Sequence, residues 1–353
     1  MRSSTSNSDR VGAIHFTLDH TDNKKKQNKY FGWGLIGLLA IVILAEAFVF
    51  RNVMFYGYSP GFIGQLAELE ATFQEVDASK IKAIVLGDSQ SMDALVPELM
   101  AEHSARYDLE ELFNFSISGG SAFDIYKTYL SYKDRLPNID KAIVVVNEHQ
   151  FNNEDPANYI LFKYYANLRD RLQVIGTDNY GELLLGWALK SYDMRTVWTM
   201  MIDKYRKDEL RDEVPVHEGR GLPAVRWSPS SDRTLEHAEE TAERWFRNFK
   251  LEGVRTDAFR KLIRELAEDG VDTVILQLPR SAYFEEAVST MFKEEQLAIR
   301  QMIQTVADEH GAEFVIMSNE GMTIDEHFRD TNHVNPEGAA LISRMVAKEY
   351  LDR

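Results

Sequence analysis

Three blocks, far apart in the chain, hold residue types that together can carry out acyl chemistry. The first is Leu86-Gly87-Asp88-Ser89-Gln90-Ser91. It directly follows an apolar run, and a strand–Gly–x–Ser junction puts a hydroxyl at the carboxyl end of a strand, near a helix N-terminus. Backbone N–H groups there can stabilise an oxyanion. The second is Asn114-Phe115-Ser116-Ile117-Ser118-Gly119-Gly120-Ser121, where two glycines permit close backbone approach and an exposed N–H. The third is Asp330-Thr331-Asn332-His333-Val334-Asn335-Pro336. A serine hydroxyl is a poor nucleophile until a base takes its proton. Histidine does this near neutral pH, and a carboxylate fixes its tautomer. Asp330 and His333 are three apart, so one turn can set acid against imidazole. Each block also has a plainer reading: an N-cap at Asp88 or Ser89, a tight glycine turn, and a surface Asp–His pair.

Those residues need elements to position them. Five short apolar runs read as buried strands: Ile81–Leu86, Leu112–Phe115, Ala142–Val146, Thr273–Leu278 and Glu313–Met317. Most are continuous rather than alternating, as expected when helices cover both faces of a parallel sheet. Amphipathic segments follow at Ala122–Arg135, Asp257–Asp269, Glu285–His310 and Pro336–Leu351. This alternation predicts an α/β fold, a doubly wound, flavodoxin-like parallel sheet of about five strands with right-handed crossovers. The rhythm breaks between strands three and four. Residues 152–256 read as a mostly helical insertion, with helical spacing over Tyr159–Leu172, Leu183–Lys204 and Leu235–Leu251 and a loop holding Gly219, Gly221, Pro223, Ser228, Pro229 and Ser230. An insertion at this edge of an α/β sheet is expected to wall a substrate cleft.

Taken together, the order of the blocks and their strand context resemble the SGNH/GDSL hydrolase superfamily from about Ile81 to the C-terminus, apart from the insertion. The resemblance implies Ser89 as nucleophile, His333 as general base and Asp330 as its orienting carboxylate. It implies the N–H groups of Ser89 and Gly119 as oxyanion donors. Members of that family usually carry Gly-x-Asn-Asp after the third strand, the asparagine completing the oxyanion hole. This chain has Val146-Asn147-Glu148-His149-Gln150 there, so Asn147 is the positional candidate without its glycine and aspartate. Gln90 stands where the lipase-like signature has leucine. Two weaker candidates for substrate contact are Asp88 and Arg280, the latter in Leu278-Pro279-Arg280-Ser281; a surface arginine is the alternative. Glu148, His149 and Asp155 could suggest a metal, but no second histidine sits at ligand spacing. Neither a metal nor another cofactor is expected.

Composition narrows the field. The chain of 353 residues is 44% hydrophobic and 27% charged, an ordinary globular balance. Acidic residues outnumber basic ones 56 to 40, for a formal charge of −16. A general nucleic-acid binder is therefore not expected, since phosphate contacts need clustered Lys and Arg. With no cysteine, disulfides, thiolate catalysis and Cys-ligated metals are excluded.

Residues 1–29 are polar and read as a flexible tail ending in Lys24, Lys25, Lys26 and Lys29. An apolar run from Tyr30 to Phe50 follows, with Glu46 as its one ionisable residue, and Arg51 closes it. About 20 residues suffice to cross a ~30 Å hydrocarbon layer. The lysines before the run place the N-terminus in the cytoplasm and residues 51–353 outside. The expectation is a single-pass signal anchor in the plasma (inner) membrane with an extracytoplasmic, periplasmic domain. Without the tail and Glu46, 34 basic and 52 acidic residues remain, a charge of −18 on that domain. Any polyanion is then expected to be held by local basic contacts.

Anchor and blocks together resemble membrane-anchored proteins that modify envelope polymers, such as O-acetyltransferases of peptidoglycan and exopolysaccharides. The implied activity is acyl, chiefly acetyl, transfer to or from an extracytoplasmic glycan, with a multispanning membrane acyltransferase as implied partner. A carbohydrate or lipid esterase and a non-catalytic scaffold of a glycan-export complex are the alternatives. Ala45-Glu46-Ala47 also resembles a signal-peptide cleavage site. N-terminal sequencing of the mature protein is expected to return the chain's own start; a start near Phe48 would mean that the anchor is cleaved.

Overall fold

Every strand residue in the centre of the molecule is buried on both faces, and the pleat divides them between two cores. Ile84, Leu86, Ala142, Val144 and Ile275 face one way, against Phe123, Tyr129, Phe259 and Leu262. Ala83, Val85, Ile143, Val145, Val274 and Leu276 face the other, against Met100, Ala339, Ile342 and Val346. Successive side chains point to opposite faces of a strand, so a run apolar at every position needs helices on both sides.

The computed structural model describes residues 20–59, 61–154, 160–176, 179–224 and 232–353, with side chains from Trp33 onward. It is an α/β fold with one five-stranded parallel sheet. The strands are β1 (Ala83–Leu86), β2 (Leu112–Asn114), β3 (Lys141–Val145), β4 (Asp272–Gln277) and β5 (Glu313–Ile316), in the order β2-β1-β3-β4-β5. Register runs Val85↔Asn114, Val85↔Ile143 and Val144↔Ile275. The order reverses beside β1, and crevices for ligands open at such switch points, beyond the carboxyl ends of the strands.

The expected helices are present with altered ends. Glu285–His310 is two helices, Ala282–Met291 and Lys293–His310, broken at Phe292, whose backbone is not helical (φ −136°, ψ 37°). Pro336–Leu351 is an α-helix to Val346 and a wider π turn over Ala347–Leu351. Within 152–256 lie the helices Ile160–Tyr165, Leu168–Ile175, Tyr180–Ala188, Lys190–Asp193, Arg195–Arg206 and Leu235–Phe246. Asp155, Tyr159, Ser228, Pro229 and Ser230 lie outside the described residues.

Asn153 laces the two ends of this segment together. Its amide side chain donates to the carbonyls of Phe151 (3.0 Å) and Leu251 (2.7 Å), and its N–H to that of Lys250 (2.8 Å). Gly253, at φ 154°, comes so close that an added Cβ would lie 2.7 Å from the Asn153 side chain. A helix not read from the sequence, Phe62–Gln74, packs against the first core through Ile63, Leu66, Leu69 and Phe73.

The chain divides into two units, Met1–Val49 and Phe50–Arg353. In the first, a helix spans His20–Ala45, so it begins within the stretch read as a flexible tail. Trp33–Phe50 is the one stretch among the described residues long and apolar enough to cross a membrane. A signal anchor and a signal sequence both fit it.

The Asn153 lacing generates a prediction. Gly253→Ala combines a left-handed backbone position with a side-chain clash, and is expected to destabilise the domain by about 1–3 kcal/mol. Chemical denaturation measures it.

Candidate active site

The first block folds as strand, turn and short helix. β1 ends at Leu86, and Ser89 opens the helix Ser89–Ala94 with Asp88 as its N-cap, accepting from Gln90 N at 2.9 Å. Gly87 lies where an added Cβ would come within 2.2 Å of Ser91 Oγ and 3.0 Å of Val145. Only glycine fits this turn without displacing its neighbours.

The second block braces the first. Asn114, the last residue of β2, donates its amide to Leu95 O (2.8 Å) and Ser91 O (3.2 Å), holding carbonyls at the C-terminal end of the Ser89 helix. Ser91 Oγ and Ser116 Oγ are 2.7 Å apart. The glycine turn then brings Gly119, at φ 64°, to the cavity beside Ser89. Gln65, on the helix missed in the sequence, accepts from Ser118 N at 3.1 Å and holds this loop.

The third block forms a turn around its own carboxylate. Asp330 Oδ1 accepts from the backbone N–H groups of Asn332 (2.9 Å) and His333 (2.8 Å). His333 Nδ1 lies 3.0 Å from Asp330 Oδ2. The opposite ring nitrogen, Nε2, lies 2.8 Å from Ser89 Oγ. With the imidazole proton on Nδ1 facing the carboxylate, Ser89 donates to Nε2. Ser281 Oγ, after β4, donates to Thr331 O at 2.6 Å and ties the turn to the sheet. Burial alone would raise the Asp330 carboxyl. The hydrogen bond and charge of His333, with the two backbone donors, outweigh burial and hold it at about 2.

Ser89 and His333 open on a cavity of about 660 Å³. Phe62, Ser118 and Gly119 form part of its wall, and the segment between β3 and β4 contributes His149, Asn152, His237, Arg244 and Trp245. Asn152 donates to Trp245 O at 2.9 Å, and the Trp245 ring lies 4.7 Å from that of His149. Three guanidinium groups, Arg244, Arg255 and Arg329, reach this wall in a domain that is acidic as a whole.

Three expected site residues stand elsewhere. Asn147 is buried and donates its amide to Asp88, and it is not part of the cavity wall. Asp88 is fully buried behind the turn and does not line the cavity. It accepts from Gln90 N, Asn147 and Gln150 Nε2 (3.0 Å), with His149 Nε2 at 3.4 Å from Oδ2. A buried carboxylate is costly without such donors, which is why Asn147 and Gln150 turn inward. Arg280 is neither at the surface nor at the cavity. It is fully buried, paired with Glu148 and with Glu285 at 2.7 Å. Glu148 also accepts from Gln277 and Gln296, both at 3.1 Å. No metal-binding cluster occurs among the described residues. Asp155 lies outside them. Burial pushes the His149 imidazole below its ordinary value, against the pull of Asp88.

Gln90 has a place that sequence reading gave it no role for. It lines the cavity beside Ser89, is 4% exposed, and its Nε2 has no hydrogen-bond partner among the described residues. The departure from leucine at this position was the signal: a buried amide next to Ser89 needs a partner. The N–H groups of Ser89 and Gly119 make no hydrogen bond among the described residues either.

No protein-family model and no curated protein sequence matches the chain.

Arg280→Met leaves Glu148 charged and buried, and is expected to cost about 3–5 kcal/mol of stability; adding Glu148→Gln restores part of it. Denaturation midpoints of the three proteins measure this. The Asp330 carboxyl falls from an ordinary 3.8 to about 2, so its ionised form favours the folded state. That contribution, about 2 kcal/mol, is present above pH 4 and fades as pH falls towards 2. The stability difference between the protein and Asp330→Asn is expected to shrink over that window.

Proposed function

We propose that this protein is a membrane-anchored serine acyltransferase of the SGNH type, acting on O-acyl groups of an extracytoplasmic glycan. One observation carries the reading: Ser89 Oγ, His333 Nε2 and Asp330 lie in one hydrogen-bonded line at the mouth of a cavity. The block order supports the family, and the apolar Trp33–Phe50 segment supports the anchor.

Ser89 Oγ attacks the acyl carbonyl of the donor as His333 Nε2 takes its proton. Asp330, ionised throughout the range in which an imidazole titrates, stabilises the imidazolium. The tetrahedral oxyanion is met by Ser89 N–H, Gly119 N–H and the Gln90 amide, which takes the part first assigned to Asn147. Collapse breaks the carbonyl–oxygen bond to the leaving alcohol, which receives the proton from His333, and leaves an acyl-serine. A sugar hydroxyl then attacks the acyl-serine and gives its proton to His333. Ser89 departs with that proton restored. Water in place of the sugar gives an esterase, so the partition between acceptors separates transfer from hydrolysis. The cavity has room for a sugar unit, and the aromatic residues Phe62 and Trp245 line it.

The test is incubation of the purified full chain with an acetyl-ester donor, with and without glycan acceptors, followed by product analysis. Acetylated glycan or free acetate is expected, and both are lost in Ser89→Ala and His333→Ala. Gln90→Leu is expected to lower kcat by about 10²–10³ while the fold is retained, the range for loss of one oxyanion donor. Cellular function unchanged in Ser89→Ala and His333→Ala would instead mark a non-catalytic scaffold.

A further inference from the structure

The helix Tyr180–Ala188 presents the wrong face to water. Its inward residues are Leu183 and Gly186, and Gly186 packs against Arg171 and Asp193. Its outward residues are Tyr180 (60% exposed), Leu184 (51%), Leu185 (44%) and Trp187 (47%). A surface helix of a soluble domain carries polar residues on that side. Singly scattered apolar residues are common on surfaces, but a run of four on one short helix is a patch.

The chain's own course says what covers it. Phe50, the last residue of the apolar span, and Arg51 both belong to the folded domain. Arg51 donates to the carbonyls of Trp187 (3.4 Å) and Ala188 (3.2 Å), at the end of this same helix. Tyr164 donates to Arg51 O at 3.1 Å, and Phe50 meets the Trp198 ring at 6.3 Å. Arg51, directly after the span, is therefore held at the end of this same helix. Residues 179–207 carry five basic and three acidic side chains, against the domain's acidic balance.

We propose that the Tyr180–Ala188 face is a membrane-contact surface, with Tyr180, Leu184, Leu185 and Trp187 seated in the interfacial layer of the bilayer that the N-terminal span crosses. This rests on the anchor reading above. Tyr and Trp favour the headgroup level, where one part of the ring is apolar and the other wet.

The chain has no cysteine, so single cysteines can be placed without competing labels. Full-length Leu184→Cys, Trp187→Cys, Leu297→Cys and Ile41→Cys carry an environment-sensitive fluorophore in vesicles of phosphatidylcholine and phosphatidylglycerol. Leu297 is an exposed reference on the Lys293–His310 helix, and Ile41 reports the span. Nitroxide-bearing lipids are expected to quench the labels at 184, 187 and 41, but not at 297. Labels at 184 and 187 that stay bright while 41 is quenched overturn the proposal and leave the anchor reading standing. Labels shielded from water yet unquenched by lipid also overturn it, since a second copy or another protein would then cover the face. A bright label at 41 defeats the anchor reading, and the proposal falls with it.

Discussion

Ser89 and His333 are 244 positions apart, yet their side chains lie 2.8 Å from each other. That contact depends on one constraint: every strand of the sheet runs in the same direction. A parallel sheet delivers all its carboxyl ends to one edge. The turns after β1 and β2 therefore meet there, as does the Asp330 turn, which is tied to the end of β4 through Ser281. The crossovers that make the strands parallel need helices on both faces. Those helices in turn supply the two cores that hold the edge rigid. A slip of β1 by one residue would exchange its two faces and carry the Ser89 turn away from His333.

Beneath that edge lie two buried carboxylates, Asp88 and Glu148, and they account for most departures from the expected site. Each must be supplied with donors in a region of low dielectric. Asp88 takes the amides of Asn147 and Gln150, so Asn147 is removed from the cavity. Glu148 takes Arg280, so that arginine is unavailable to a substrate. The result is a polar floor under a cavity whose wall includes Gln90, an amide whose Nε2 has no hydrogen-bond partner among the described residues. The segment between β3 and β4 then raises one wall, with the Trp245 carbonyl held by Asn152 and the Leu251 carbonyl by the neighbouring Asn153.

Much of this was legible in the chain. Continuous apolar runs marked buried parallel strands because both of their faces are covered. Glycine at 87 and 119 marked turns that a side chain would block or strain, and the Asp-x-x-His spacing marked an acid and imidazole that one turn can join. The missed helix Phe62–Gln74 has the right period, with Ile63, Leu66 and Phe73 directed to the core. Its outward periodicity is blurred because Gly64, Glu68 and Thr72 are buried too. Glu68 is acceptable there because Arg211 and His217 pair with it from distant sequence.

The sequence by itself determined the period and length of the elements, the apolar span and the residue types able to activate a hydroxyl. These are local properties, set by side chains within a turn or two of each other. Tertiary structure alone decided which polar residues reach the cavity and which are drawn inward. Asn147 and Arg280 could not be sorted by spacing, because their orientation follows from the charge each one meets across the fold. A buried carboxylate recruits the nearest available donors, and nearness in a folded chain is fixed by topology rather than by position along it.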